Sequence, residues 1–273
     1  MSKIEWTDKT WNPITGCTPV GEGCRNCYAR RMATRLRGRY GYPANDPFRV
    51  TFHPDKLVQP LKWKKPCRIF VCSMGDLFHE DVEPGELFDV YEAIKRTPEH
   101  EYVILTKRPD RIVHQFGLQP NVTMGVSCWD QESADRMIPG LLETPAARRI
   151  VSLEPLLGPV DIGPYIQNQC ETCYGDGEVI EMVRYGGPPI EKRTPCPDCE
   201  GEDFVGLDGV IVGGESGPGA RPMHPDWVRS IRDQCVEAEV HFFFKQWGWH
   251  YMSEIGKRLL DGREWNEWPE YVR

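Results

Sequence analysis

Three cysteines stand close together near the amino end of this 273-residue chain. They lie in Trp11-Asn-Pro-Ile-Thr-Gly-Cys17 and, after six intervening residues, Cys24-Arg-Asn-Cys27-Tyr-Ala-Arg-Arg31. Gly16, Gly21, Gly23 and two prolines fall among them, so the backbone can turn tightly and carry three sulfurs together. Three thiolates are one fewer than a closed structural zinc site takes, whereas an iron–sulfur cubane held by three cysteines keeps one iron open to an outside ligand. Spacing alone leaves three outcomes: an open cluster, a zinc site completed by a further side chain such as Cys67, Cys72 or His53, or plain burial of the thiols.

A second cysteine group has a different pattern. Cys170-Glu-Thr-Cys173-Tyr-Gly-Asp-Gly177 and Cys196-Pro-Asp-Cys199-Glu-Gly201 are paired knuckles, each turn presenting two thiolates. Four such thiolates close a tetrahedron around Zn²⁺, and the same ligands can hold a second cluster. The pattern is similar to the zinc repeats of DnaJ-type chaperones. Eleven cysteines, clustered in a chain whose amino end has no apolar signal core, point to metal ligation in a reducing, cytoplasmic setting over disulfides.

Composition excludes some classes. At 40% hydrophobic and 27% charged residues, with no apolar run of spanning length, the chain reads as a soluble globular protein with no membrane role. The net charge of −8 is unevenly spread, since residues 1–68 hold fourteen Lys plus Arg against five Asp plus Glu. The cysteine loop therefore sits in a basic lobe that can meet a polyanion, with Arg30, Arg31, Arg35, Arg37 and Arg39 on and after the following helix.

The elements that must position these groups alternate. Short β-branched and aromatic runs at 68–72, 102–106, 122–126, 149–153, 209–213 and 240–244 suit strands buried on both faces. Helical periodicity predicts helices over 28–37, 83–95, 131–142 and 224–236, the second and fourth opening on Pro84 and Pro225. With a strand leading into Cys17, this is a βαβ architecture with parallel strands and outer helices, either a partial barrel or an open doubly wound sheet. Residues 167–204 interrupt the rhythm and read as a four-cysteine, zinc-ribbon-like module with a hairpin, inserted into a core of 1–166 and 205–273.

In parallel α/β folds the working residues lie at the carboxyl ends of the strands. The residues there are Ser73-Met74-Gly75-Asp76, Thr106-Lys107-Arg108, Ser127-Cys128-Trp129-Asp130, Glu154-Pro155, Gly214-Glu215-Ser216 and Lys245-Gln246-Trp247. Glu154 ends an apolar strand, where a carboxylate is seldom left without a partner. Lys107 and Lys245 can bind a carboxylate or phosphate, or pair with Glu154 and Glu215 across the rim. Asp76 and Asp130 read equally as helix caps. Trp129, Trp247 and Trp249 can stack on a base, although burial is the commoner fate of tryptophan.

The run Asn12-Pro13 through Gly16-Cys17, ending in Cys27-Tyr28-Ala29-Arg30, resembles the cluster loop of radical S-adenosylmethionine (SAM) enzymes and is most similar to that of spore photoproduct lyase. That superfamily usually has three residues between its first two cysteines; here there are six. The chain as a whole resembles a phage-associated and bacterial family known for a three-cysteine motif. The resemblance selects the partial (β/α) barrel. It implies that Cys17, Cys24 and Cys27 hold a [4Fe–4S] cluster whose open iron chelates SAM. It further implies that an electron from a donor such as a flavodoxin or ferredoxin cleaves SAM to a 5′-deoxyadenosyl radical that abstracts hydrogen from substrate. Tyr28, Ser73, Met74, Gly75, Asp76, Ser127, Trp129 and Gly214 are the expected cofactor contacts, and Glu154, Glu215, Lys107 and Lys245 the expected catalytic groups. The spore photoproduct lyase likeness and the basic lobe together point to a nucleic acid base or nucleotide as substrate, with a partner protein encoded nearby also implied. The competing expectation is a non-catalytic, zinc-stabilised module that docks nucleic acid or protein.

Overall fold

The computed structural model describes residues 4–117, 119–166, 178–183, 190–197, 206–249 and 258–269. Seven strands pair in parallel throughout: β1 (Lys9–Trp11), β4 (Arg68–Val71), β5 (Glu101–Thr106), β6 (Val122–Cys128), β7 (Arg148–Leu153), β10 (Gly209–Gly213) and β11 (His241–Gln246). Their order in the sheet is their order in the chain. A doubly wound sheet reverses direction at a switch point. A sheet that always adds its next strand on the same side, by right-handed crossovers, keeps every helix on one face and curls. The result is the partial (β/α) half-barrel, and the doubly wound alternative is excluded.

The helices are α1 (Tyr28–Arg35), α2 (Pro84–Lys95), the single turn α3 (His114–Gly117), α4 (Gln131–Leu142), the single turn α5 (Gly163–Ile166) and α6 (Pro225–Glu237). Strand residues Ile69, Val71, Ile104, Met124, Val126, Val151, Val212 and Phe244 form the main core with Val90 and Ile94 of α2, Met137 and Leu141 of α4, and Ile231 of α6. Because side chains alternate along a strand, the intervening residues must face the concave side. There Phe70, Val103, Leu105, Ile150, Ile211 and Phe243 pack with Trp6 and Trp268, which stack at 5.7 Å. These side chains fill the concave side. Continuing the same alternation to the carboxyl ends brings Lys107, Ser127, Ser152, Glu154, Gly213 and Lys245 to the concave rim.

Two small ribbons lie outside the main sheet among the described residues. β2 (Ile14–Thr15) pairs antiparallel with β3 (Thr51–Phe52) beside the cysteine loop. β8 (Glu178–Val183) and β9 (Ile190–Pro195) form the expected hairpin, with Glu178 opposite Pro195. Cys196 is buried, whereas Cys170, Cys173 and Cys199 lie outside the described residues. Strand β10 pairs directly with β7, so the main sheet continues across the interruption. No helix among the described residues is long and apolar enough to cross a membrane.

Candidate functional site

The cysteine loop leaves the carboxyl end of β1 and enters α1, so it is the first βα loop of the half-barrel. Cys17, Cys24 and Cys27 are partly exposed and in no disulfide. Gly16 fixes where the loop begins. Its φ of +88° is open to glycine, and a Cβ there would lie 2.2 Å from the Arg49 carbonyl oxygen. On its other side Gly16 N–H donates to Met74 O at 2.9 Å and bridges Gly75 as a parallel pair.

The expected cofactor strip, Ser73 to Asp76, is therefore pressed edge-on against the cysteine loop. Asn12 Oδ1 accepts from Met74 N–H at 2.8 Å and from Ser73 Oγ at 3.2 Å, and the Tyr28 hydroxyl donates to the Ser73 carbonyl. Tyr28 as a residue is 44% exposed, while burial of the hydroxyl and then the nearby Cys27 and Glu154 raise its pKa. Asp76 is placed otherwise than a free ligand group. Its carboxylate accepts from Thr106 Oγ1 at 2.8 Å, Lys107 N–H and Phe78 N–H at 3.1 Å, and Arg108 Nη1 at 3.4 Å. It closes a turn rather than capping a helix. Asp130, by contrast, caps α4 by accepting from Ser133 N–H at 2.9 Å.

Trp129 carries the loop from beneath. Its ring is 5% exposed, and Cβ atoms built on Gly21 and Gly23 would sit 2.4 and 2.6 Å from it. These glycines permit close approach of the loop backbone to the indole, whose surface is thereby occupied and not open to a cofactor. Arg136 lies over the same ring at 5.7 Å. Trp247 is likewise buried and donates to Leu259 O at 2.8 Å, whereas Trp249 keeps 52% of its surface exposed beside the Glu215 backbone.

Across the rim, Lys245 Nζ meets Glu154 Oε1 at 2.6 Å, and Ser152 Oγ donates to Glu154 Oε2 at 3.0 Å. Gly213 makes room, because a Cβ there would come within 2.6 Å of Glu154 Oε1. Glu215 does not join Lys107 or Lys245. It accepts from Arg221 Nη2 at 2.5 Å and from Asn26 Nδ2 at 2.8 Å, and Arg221 Nη1 also meets Glu22 Oε2 at 3.1 Å. Burial alone would raise the Glu215 pKa, but the hydrogen bonds from Arg221 and Asn26 outweigh it and hold the carboxyl down at about 2. Arg31 adds hydrogen bonds to the carbonyls of Pro218 and Ser216. Residues 215–221 are thus a strap buckled over the cysteine loop, and Glu215 is its buckle rather than a group free to act on substrate. Gly214 lets this segment pass Trp247, whose carbonyl oxygen would lie 2.2 Å from a Cβ. Lys107 makes no hydrogen bond or ion pair through its ammonium among the described residues; Ser127 is 8% exposed.

The opposite end of the loop is held by Arg108, which the sequence placed at the rim after β5 without marking a role for it. Arg108 Nε donates to Glu80 Oε2 at 2.8 Å, Nη2 to Thr18 Oγ1 at 2.9 Å and Nη1 to Cys17 Sγ at 3.4 Å. Burial, then the neighbouring Asp76 charge, push the Cys17 pKa up to about 11 against the opposing Arg108 cation. Asn12 and Asn26 stood within the cysteine-loop motif without a role of their own, and Arg221 was missed; nothing in the sequence marks the partners of the three.

The side chains that could complete a zinc site each sit elsewhere. His53 Nε2 bonds Thr15 Oγ1 at 2.8 Å, and Cys72 is buried in the main core. Cys67 precedes β4 at the amino end of the sheet, 3.7 Å from His100 Nδ1. Among the described residues no group of three or more His, Cys, Asp and Glu side chains is drawn together as the ligands of one ion would be. The fit to a polynuclear cluster lies instead in the donor chemistry. Three partly exposed thiols stand outside any disulfide on one βα loop, Cys17 beside the Arg108 donor, and a cubane's cysteines bind different irons. A hollow of about 580 Å³ lined by Arg148, Asp208 and His241 lies at the other end of the sheet.

A family model described as "Protein of unknown function (DUF5131)" matches residues 1–269. No curated protein matches the chain. Two solved structures of spore photoproduct lyase are similar to it. One, a cysteine-to-serine mutant, is 12% identical with a TM-score of 0.49, covering 90% of this chain and 78% of its own. The other, a tyrosine-to-phenylalanine mutant, is 11% identical with a TM-score of 0.44, covering 86% and 75%.

Proposed function

We propose that this chain, which belongs to the DUF5131 family over nearly its whole length, is a radical SAM enzyme acting on a nucleic acid base or nucleotide. The observation that supports this most is the seating of a three-cysteine loop on the first βα connection of a half-barrel, edge-on to the Ser73–Gly75 backbone and opposite a polar rim. Cys17, Cys24 and Cys27 would hold a [4Fe–4S] cluster, with Tyr28, Ser73, Met74, Gly75, Ser127 and Gly214 nearest the bound SAM. When bound, the cluster reduced by a small electron carrier supplies the electron that cleaves the SAM sulfonium.

The chain's own residues do the rest. Met74 and Gly75, fixed by Asn12 and Gly16, offer a rigid backbone edge beside the cluster loop. The Glu154–Lys245 pair at the concave rim would bind a polar substrate group or the SAM carboxylate, and Lys107 would offer a second cation to a carboxylate or phosphate. The filled lower layer around Trp6, Ile150 and Phe243 closes the concave side from below and keeps water from that direction. Exposed Arg30, Arg35, Arg37 and Arg39 flank the loop as phosphate contacts. On this reading residues 167–204 would be an inserted module whose Cys170, Cys173, Cys196 and Cys199 would hold a structural zinc.

Anaerobic reconstitution with iron and sulfide tests both metal assignments. The expected result is about four irons per chain, with 5′-deoxyadenosine released from SAM on reduction. Cys24→Ala is expected to lose iron and keep zinc, and Cys196→Ser to do the reverse. A folded protein that takes up only zinc under these conditions refutes the enzyme and leaves a metal-stabilised binding module.

A further inference from the structure

Resting on the cluster assignment above, we infer that Arg108 is a positioning residue that fixes Cys17 and raises the reduction potential of the cluster through a charge-assisted hydrogen bond to the Cys17 sulfur. Cys17 is the one member of the trio that accepts a side-chain hydrogen bond among the described residues, from Arg108 Nη1 at 3.4 Å. The donor comes from the end of β5, 91 residues away in sequence, so this contact ties a proposed cluster ligand to the main sheet.

The guanidinium is held so that it points there. Arg108 is 9% exposed. Its Nε is spent on Glu80 at 2.8 Å, Nη1 is shared with Asp76 at 3.4 Å, and Nη2 bonds the Thr18 carbonyl at 3.2 Å and Thr18 Oγ1 at 2.9 Å. Thr18 is itself fixed, its hydroxyl 2.8 Å from the Nε2 of a fully buried His79. A planar fork of five donors meets this set of acceptors, whereas a lysine ammonium has three donors on a flexible stem and matches only part of it.

The electrostatic consequence follows from charge. Reduction adds an electron to a cluster ligated by thiolates, and a cation donating a hydrogen bond to one sulfur favours the more negative state. Asp76 opposes the guanidinium at Cys17 itself, so what Arg108 adds at that sulfur is its cation together with the Nη1 hydrogen bond, both of which a neutral side chain would remove. Asp76 also turns the chain directly after the Ser73–Gly75 strip, so one side chain orients a cluster ligand and the backbone edge assigned to SAM.

The test is a redox titration of the reconstituted full-length protein, followed by the electron paramagnetic resonance signal of the reduced cluster. Arg108→Gln is expected to retain cluster iron while its midpoint moves to more negative potential, with Arg108→Lys between it and wild type. Thr18→Val removes the hydroxyl that anchors Nη2 at an exposed position, tolerates substitution if Arg108→Gln fails to fold, and is expected to shift the midpoint less but in the same direction. Midpoints unchanged from wild type in the folded, cluster-loaded variants overturn the role of Arg108 and leave the cluster assignment standing. A wild-type protein that binds no cluster overturns both.

Discussion

Replacing Gly23 by alanine is the most direct test of how the cysteine loop is seated. The new Cβ would lie 2.6 Å from Trp129 Cε3, 2.8 Å from Cδ2 and 3.1 Å from Cγ. Carbon atoms rest about 3.5–4.0 Å apart, so one partner must retreat by roughly 1 Å. The indole is the less free of the two: it is 5% exposed, its backbone N–H is held by Ser133 Oγ at 2.8 Å and its carbonyl by Leu157 N–H at 2.7 Å. The loop therefore moves, at the usual overpacking cost of about 1–3 kcal/mol. A loss of about 2 kcal/mol lowers Tm by about 4–8 °C in a chain near this size. Cys24 follows Gly23 directly, while Cys17 is anchored separately by Arg108, so the displacement changes the spacing of the trio. Iron affinity is expected to fall about 10–100-fold, the range seen when groups supporting a metal ligand are disturbed. Thermal melts of the metal-free protein and iron retained after anaerobic reconstitution read the two effects separately. Gly85→Ala is the control, since a Cβ there meets nothing within 4 Å; in the first turn of α2 it is expected to be neutral or to stabilise by about 0.4–1 kcal/mol. Adding Trp129→Leu to Gly23→Ala should relieve part of the clash, so the pair should cost less than the sum of the singles. Wild-type melting and iron content in Gly23→Ala, or costs that simply add, would refute the seating.

The strap and the rim pair give two further tests. Glu215 has its folded pKa held at about 2, so its contribution is complete at neutral pH and is lost as pH falls from the ordinary carboxylate range toward 2. The depression corresponds to roughly 3 kcal/mol. Denaturant midpoints should therefore fall more steeply on acidification in wild type than in Glu215→Gln; a gap between the two that stays constant from about pH 7 to about pH 2.5 counts against the buckle. Lys245→Met leaves the Glu154 carboxylate, among the described residues, with Ser152 Oγ alone at 3.0 Å and is expected to cost about 3 kcal/mol, the low end for breaking a buried pair, because both side chains are partly exposed. Lys245→Met with Glu154→Gln should recover part of that loss, and a double variant no more stable than Lys245→Met would show that the pair is not coupled.

The sheet was legible because strands covered on both faces must be continuously apolar. β6 and β10 are buried at every position, and both were predicted from unbroken runs with ends within two residues of those observed. The sequence pattern could not separate a curled sheet from a doubly wound one, since crossovers of either kind give the same alternation; strand order alone decides it, and it is a property of pairing. The site was legible to the same depth. Groups following the strands do gather at one rim, because parallel strands all end on one side. Their partners were not legible. Glu215 and Asp76 look like Glu154 in sequence, each a carboxylate just past an apolar run, yet Glu215 is spent on Arg221 and Asn26 and Asp76 on Arg108 and Thr106.

The same limit explains why the two clamps on the cysteine loop escaped notice. Asn26 meets Glu215 across 189 residues, Arg221 meets Glu22 across 199 and Arg108 meets Cys17 across 91. A loop rich in glycine would by itself pay a large entropic cost to hold three thiols in one arrangement. Closure of the half-barrel brings β5 and the β10 loop against its two ends, and an arginine with carboxylate partners fixes each. The glycines that make the loop pliable in isolation are the positions that let it lie flat on Trp129, so its rigidity comes from the later strands rather than from its own sequence.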